Sequence, residues 1–188
     1  MKTLAGFLAG MVGFALAVGS DGALAATECN TGPPPNAVPL SGTIVGGVVV
    51  NAGDFCVLGG ATISGGVQVN TGGILIACGS TINRGLVANG AANVLVGPEE
   101  IGCAGSVING AVQISNTGPG VIPGGAPSIS LERSTINGAV HLTGNRGPIV
   151  VATDRIAGGL FCVNNTFDLE NEGSPSVVTG AIRCKFGD

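Results

Sequence analysis

One phrase, Thr-Ile-x-Gly followed by Gly or Ala and then Val, recurs along the chain and constrains its fold more than any other feature. Its clear copies are Thr43-Ile44-Val45-Gly46-Gly47-Val48, Thr62-Ile63-Ser64-Gly65-Gly66-Val67 and Thr135-Ile136-Asn137-Gly138-Ala139-Val140. Looser copies begin at Thr81 and Val107, and degenerate ones at Arg155 and Val177. The anchors Ile44, Ile63, Ile82, Ile108, Ile136, Ile156 and Val178 are separated by 19, 19, 26, 28, 20 and 22 residues. A unit of that size cannot bury an apolar face alone, so it gains a core by stacking on its neighbours.

Alignment on the anchors tests this reading, because side chains alternate faces along a strand. Four residues after the anchors come Val48, Val67, Leu86, Val112, Val140, Leu160 and Ile182, and six after come Val50, Val69, Ala88, Ile114, Leu142, Cys162 and Cys184. Seven before the next anchor sit Cys56, Leu75, Ile101, Ile129 and Ile149; five before sit Leu58, Ala77, Cys103, Leu131 and Val151. Every one is apolar. The intervening positions Val49, Gln68, Val87, Gln113, His141, Phe161 and Arg183 are mixed. Period-two alternation, β-branched residues and corner glycines specify strands rather than helices. The prediction is an all-β, single-domain parallel β-helix, a β-solenoid of about six coils of 19–28 residues. Variable coil length without a strict hexapeptide period favours right-handed winding over left-handed. An antiparallel sandwich gives no reason for a glycine two residues after nearly every anchor. Adjacent coils carry insertions, Gly97-Pro98-Glu99-Glu100 and Thr117 to Pro127, expected to bulge as loops where function tends to sit.

Ahead of the repeats, Lys2, the apolar run Leu4 to Gly19, the break Ser20-Asp21-Gly22 and the small-x-small triplet Ala23-Leu24-Ala25 read as an export signal. The expected organisation is a signal peptide at 1–25, a capping segment at 26–40 containing Pro33-Pro34-Pro35 and Pro39, and the solenoid at 41–188. The apolar run falls short of the roughly 20 residues of a spanning helix, so no transmembrane segment is expected. Export places the six cysteines in an oxidising compartment, where an even count points to disulfides. Cys162 and Cys184 share one register in consecutive coils, and in-register neighbours lie about 5 Å apart, within bonding reach. Cys29 then reaches Cys56 at the N-terminal end, and Cys78 and Cys103 pair by elimination. A single histidine and no Cys-x-x-Cys spacing disfavour zinc.

Composition removes other classes. Charged residues are 10% of the chain and the net charge is −4, with no basic cluster to meet phosphates or an anionic membrane. Many parallel β-helices cleave polysaccharides with grouped carboxylates and a basic partner. Here Glu28, Asp54, Glu99, Glu100, Glu132, Asp154, Asp168, Glu170, Glu172 and Asp188 share no common register. Asp154-Arg155 reads as a surface pair at a corner. Asp168-x-Glu170-x-Glu172 alternates like a calcium run but lacks the glycine turn and distal Glu of a known loop. His141 falls on the outward register, with Gln113 and Phe161 as expected neighbours and no nucleophile on its rung. Thr43, Thr62, Thr81 and Thr135 form a ladder like those of ice-binding solenoids, interrupted by Val107 and ending at Arg155.

Asn51-Ala52-Gly53-Asp54-Phe55-Cys56-Val57-Leu58, the rung Leu160-Phe161-Cys162-Val163-Asn164-Asn165 and the final Gly180-x-x-x-Cys184 resemble small secreted Gly-rich bacterial β-helix proteins of unknown function, common in actinobacteria. The resemblance implies the fold and export and supplies no catalytic residues. The expectation is a secreted, non-enzymatic structural or adhesive solenoid, monomeric or weakly oligomeric, associated with a cell surface, wall or extracellular matrix and needing no cofactor. A carbohydrate-active or carbohydrate-binding β-helix is the alternative, and an ice-binding solenoid a remoter one.

Overall fold

The computed structural model describes residues 25–122 and 125–187. The expected export signal therefore lies outside the described residues, apart from Ala25. Within the repeats, the Thr-Ile pair forms a short strand, the glycines turn the chain, and the alternating Val-x-Val begins a second strand. The coil from Ile63 to Ile82 is the simplest case. It runs through strand Val67–Val69, turns at Asn70 to Gly73, forms strand Ile74–Cys78, turns again and ends in Thr81–Ile82. Repeating that path builds a three-faced parallel solenoid.

The first face is an eight-stranded parallel sheet: Thr27–Glu28, Val48–Val50, Val67–Val69, Gly85–Asn89, Ala111–Ser115, Val140–Thr143, Leu160–Val163 and Ile182–Arg183. The other two faces belong to a twelve-stranded sheet that bends at the long strand Phe55–Ile63. One arm, the second face, stacks Phe55–Gly59 with Ile74–Cys78, Asn93–Val96, Ile129–Glu132, Ile149–Ala152 and Leu169–Glu170. The other, the third face, stacks the anchor pairs from Thr43-Ile44 to Val177–Val178. Inward rows from all three faces merge into one core, in which Ile63, Ile82, Ile108, Ile136 and Ile156 are fully buried.

Two expectations need correction. The first face has eight rungs, so the solenoid has about eight turns rather than about six. Its opening rung, Thr27–Glu28, pairs with Val48 and Val49 but carries no copy of the repeat phrase. The second correction concerns Ile101 and Cys103. The second-face positions of that coil belong to Val94 and Val96, which pair with Leu75 and Ala77 on one side; on the other they meet Ile129 and Leu131. The first insertion follows its strand instead of preceding it, so counting back from Ile108 lands in the insertion. There Glu99–Ile101 forms a 3-10 turn that leaves Ile101 59% exposed.

The insertions are not free loops. The outward row of the second face is largely apolar, running Val57, Ile76, Leu95, Ser130 and Val150, with Ser130 its polar member. Ile76, Leu95 and Cys103 form a second small core with Phe55, Val57, Cys78, Ile122 and Ala126 packed on it. Both insertions thus cover a face that alternation alone assigns to solvent, and the strands Asn93–Val96, Ile129–Glu132 and Ile149–Ala152 are buried on both sides, as parallel strands commonly are.

The corner glycines are demanded by coil stacking. A Cβ on Gly138 would stand 2.5 Å from the backbone carbon of Gly110, and one on Gly158 would stand 2.6 Å from the backbone nitrogen of Ala139. At Gly110 it would collide with the carbonyl of Arg84. The six cysteines form three disulfides, Cys29–Cys56, Cys78–Cys103 and Cys162–Cys184, with Cα separations of 5.4, 4.9 and 4.8 Å.

Candidate binding face and a buried carboxyl corner

The outward side of the first face is a regular surface built by eight strands in register. Its central row runs, in strand register, Glu28, Val49, Gln68, Val87, Gln113, His141, Phe161 and Arg183. Formal charge sits only at its two ends, Glu28 and Arg183. Gln68, Val87, Gln113 and His141 are exposed, whereas Val49 and Phe161 are half-buried. A parallel row carries Asn89, Ser115, Thr143 and Val163 in register. Part of the amide capacity is already used: Gln68 Nε2 donates to Asn70 Oδ1 at 2.8 Å, and Asn70 Nδ2 donates to Asn51 Oδ1 at 3.2 Å.

His141 takes the place its register requires, between Gln113 and Phe161. Its ring stacks on Phe161 with centroids 4.9 Å apart and an interplanar angle of 19°. The Phe161 ring in turn lies against Gly159, where a Cβ would come within 2.5 Å of it. The missing side chain at Gly159 lets the ring lie flat, and the pair makes a small aromatic platform on an otherwise amide-and-methyl surface. Two open grooves mark this face. The larger follows the glycine corners Gly46-Gly47 and Gly65-Gly66 beside Arg84, Gln68 and Gln113, and the smaller lies between Asn70, Val87 and Asn89. Neither contains a carboxylate.

The threonine ladder has the expected register, Thr43, Thr62, Thr81, Val107, Thr135, Arg155. Thr43 and Thr62 are exposed, but Thr81 and Thr135 are half-buried. The neighbouring asparagines bond to one another, Asn109 Nδ2 to Asn83 Oδ1 at 2.9 Å and Asn137 Nδ2 to Asn109 Oδ1 at 2.8 Å.

Carboxylates do gather, at the corner between the second and third faces, but inside the protein. Asp154 is 2% exposed and is not the surface partner of Arg155, which points to solvent. It occupies the position two residues before an anchor, where other coils place Ser80, Ser106, Ser134 and Ser176. These residues form a hydrogen-bonded ladder that spans coil after coil. Ala61 N–H donates to Ser80 Oγ at 3.1 Å, Ser80 N–H to Ser106 Oγ at 3.1 Å and Ser106 N–H to Ser134 Oγ at 3.0 Å. Ser134 N–H then donates to Asp154 Oδ1 at 2.7 Å and Asp154 N–H to Ser176 Oγ at 2.9 Å. Glu132, 1% exposed, accepts from the Glu99 N–H at 2.8 Å and from the Ser130 hydroxyl, tying the first insertion to this corner. Burial, and then the nearby Glu132 charge, outweigh the Ser134 N–H and raise the Asp154 carboxyl to about 7.

Glu172 is also raised, first by burial and then by Glu132, Glu100, Glu99 and Glu170, so the acidic residues of the first insertion and of the turn after Glu170 face one region. Asp168 is exposed, and Asp188 lies outside the described residues. Among the described residues no three His, Cys, Asp or Glu side chains converge to hold a metal ion. No helix among them is long and apolar enough to cross a membrane. What fold and surface define is a parallel β-solenoid fastened by three disulfides. Comparison with protein-family models, curated protein sequences and solved structures gives no match.

Proposed function

We propose that the chain is a non-enzymatic extracellular structural or adhesive solenoid that meets its partner with the outward side of the first face. The observation carrying this reading is the central row of that face, six rungs from Val49 to Phe161 without a formal charge, bounded by Glu28 and Arg183. Rigid stacking holds those side chains in fixed register, and three disulfides suit an oxidising exterior. Of the carboxylates that approach one another, Glu132 and Asp154 are buried behind an insertion, while Glu99, Glu100, Glu170 and Glu172 are exposed. The low charge and net −4 balance disfavour nucleic acid.

A neutral carbohydrate is the second reading of the same face, favoured by the His141–Phe161 platform, since flat apolar rings and amides are what sugar rings pack and bond against. One experiment addresses both. Disulfide-intact protein is incubated with isolated cell envelopes and with insoluble neutral glycans, in low salt and in about 1 M salt, where the screening length is about 3 Å. Retention that persists in high salt and falls at least tenfold in Gln113→Glu supports the contact face. If Phe161→Ala then loses glycan retention but keeps envelope retention, the glycan reading holds for a separate ligand. Salt-labile binding, or binding indifferent to Gln113→Glu, removes the first face from consideration.

A further inference from the structure

We propose that Asp154 is a proton-operated joint in the serine ladder: neutral, its Oδ2–H continues the run of hydroxyl donors; ionised, it sets an unpaired anion inside the corner that docks the first insertion, and that corner loosens. The ladder makes the same two demands of each serine member. Every member accepts a backbone N–H from the preceding coil, and the serine hydroxyls also have a proton to give. Ser80 donates to the Cys78 carbonyl at 3.1 Å, Ser106 to the Ala77 carbonyl at 3.2 Å and Ser134 to the Glu132 carbonyl at 2.8 Å. Asp154 meets the first requirement through Oδ1, but its Oδ2 is buried without a partner. An ionised carboxylate offers only acceptors, and a buried charge without partners is costly. A proton on Oδ2 removes the charge and restores a donor.

The surroundings reinforce this. From the strand Ile129–Glu132, Glu132 faces Asp154 and is itself held as an acceptor by the Glu99 N–H and the Ser130 hydroxyl. Farther out, Glu99 and Glu100 of the first insertion and Glu170 act on Glu172 in the turn of the following coil, and Glu132 is the one carboxylate that acts on Asp154. Arg155, next to Asp154 in sequence, is turned outward, and Arg133, next to Glu132, spends its guanidinium on the Cys103 carbonyl. Nothing in this group neutralises an Asp154 anion.

The direction of the linkage follows. The folded carboxyl, at about 7, holds a proton that the unfolded chain releases near 3.8. Its contribution to stability is therefore full below the unfolded value and is lost as pH rises through about 7. Wild type, Asp154→Ser and Asp154→Asn, each with its disulfides formed, are compared between about pH 4 and about pH 8.5 by thermal melting and by hydrogen exchange at the Glu99 and Ser134 amides. Wild type is expected to lose melting temperature and to exchange both amides faster across neutral pH. Asp154→Ser, which restores the hydroxyl, and Asp154→Asn are expected to flatten both profiles. A carboxyl-carbon NMR titration of the wild type needs no variant, and a midpoint near 7 supports the joint. A midpoint in the ordinary carboxylate range, or an Asp154→Ser profile parallel to wild type, overturns it.

Discussion

At the scale of single residues, inside and outside are decided by one step along the chain. Ile136 is fully buried in the central core, while Thr135 beside it is half-buried on the third face. Ile136→Ala is expected to cost about 2–5 kcal/mol, the transfer loss plus the cavity left in a narrow core. Thr135→Ala should cost well under half as much, and chemical denaturation of the two variants compares them directly. Most of this was readable in advance, because Ile136 belongs to a row in which every aligned residue is apolar. Asp154 was not, because its charge suggested solvent and its neighbour Arg155 suggested a partner. The signal lay in four serines, Ser80, Ser106, Ser134 and Ser176, each two residues before an anchor. A row of small hydroxyls at one fixed register implies a buried corner whose backbone donors need acceptors, and Asp154 stands in that row.

At the scale of elements, the coil is a strand path whose corners must let the next coil approach. Gly138→Ala is expected to destabilise by about 1–3 kcal/mol, because the added methyl meets backbone that cannot retreat without parting the coils. Gly118→Ala is the control, since a Cβ there has nothing within 4 Å. Thermal melts of the two variants should separate, and equal melting temperatures would refute the stacking role of the corner. The recurrence of glycine made the corners visible in the sequence, though not the reason for them. The insertions were harder to place. An insertion breaks the count between anchors, and counting back across it assigned Ile101 and Cys103 to an inner row that belongs to Val94 and Val96. The covering role of Ile122 and Ala126 leaves no period to detect. The outward row Val57, Ile76 and Leu95 offered the available hint, as it is too apolar for solvent.

At the scale of the whole molecule, stability is close to a sum over neighbouring coils, since the strand pairing joins consecutive turns. The three disulfides follow the same rule: each spans 22 to 27 residues and joins adjacent turns, so none locks one end to the other. One consequence is that the molecule has a unit of length and can be edited by it. Residues 137–156 make one coil of 20 residues without a cysteine or an insertion. Excising them joins Ile136 to Ala157, brings Gly158 to the corner held by Gly138, and puts Ser176 where Asp154 now interrupts the hydroxyl ladder. The shortened chain is expected to fold with its disulfides formed and with a far-ultraviolet spectrum that matches the parent per residue. Excising only 137–146 puts every later side chain out of phase with its rung and should give an unfolded, disulfide-scrambled product. Non-reducing peptide mapping of the two deletions separates these outcomes. A sequence of this kind can thus change its reach along the solenoid axis in whole turns, while its cross-section stays fixed.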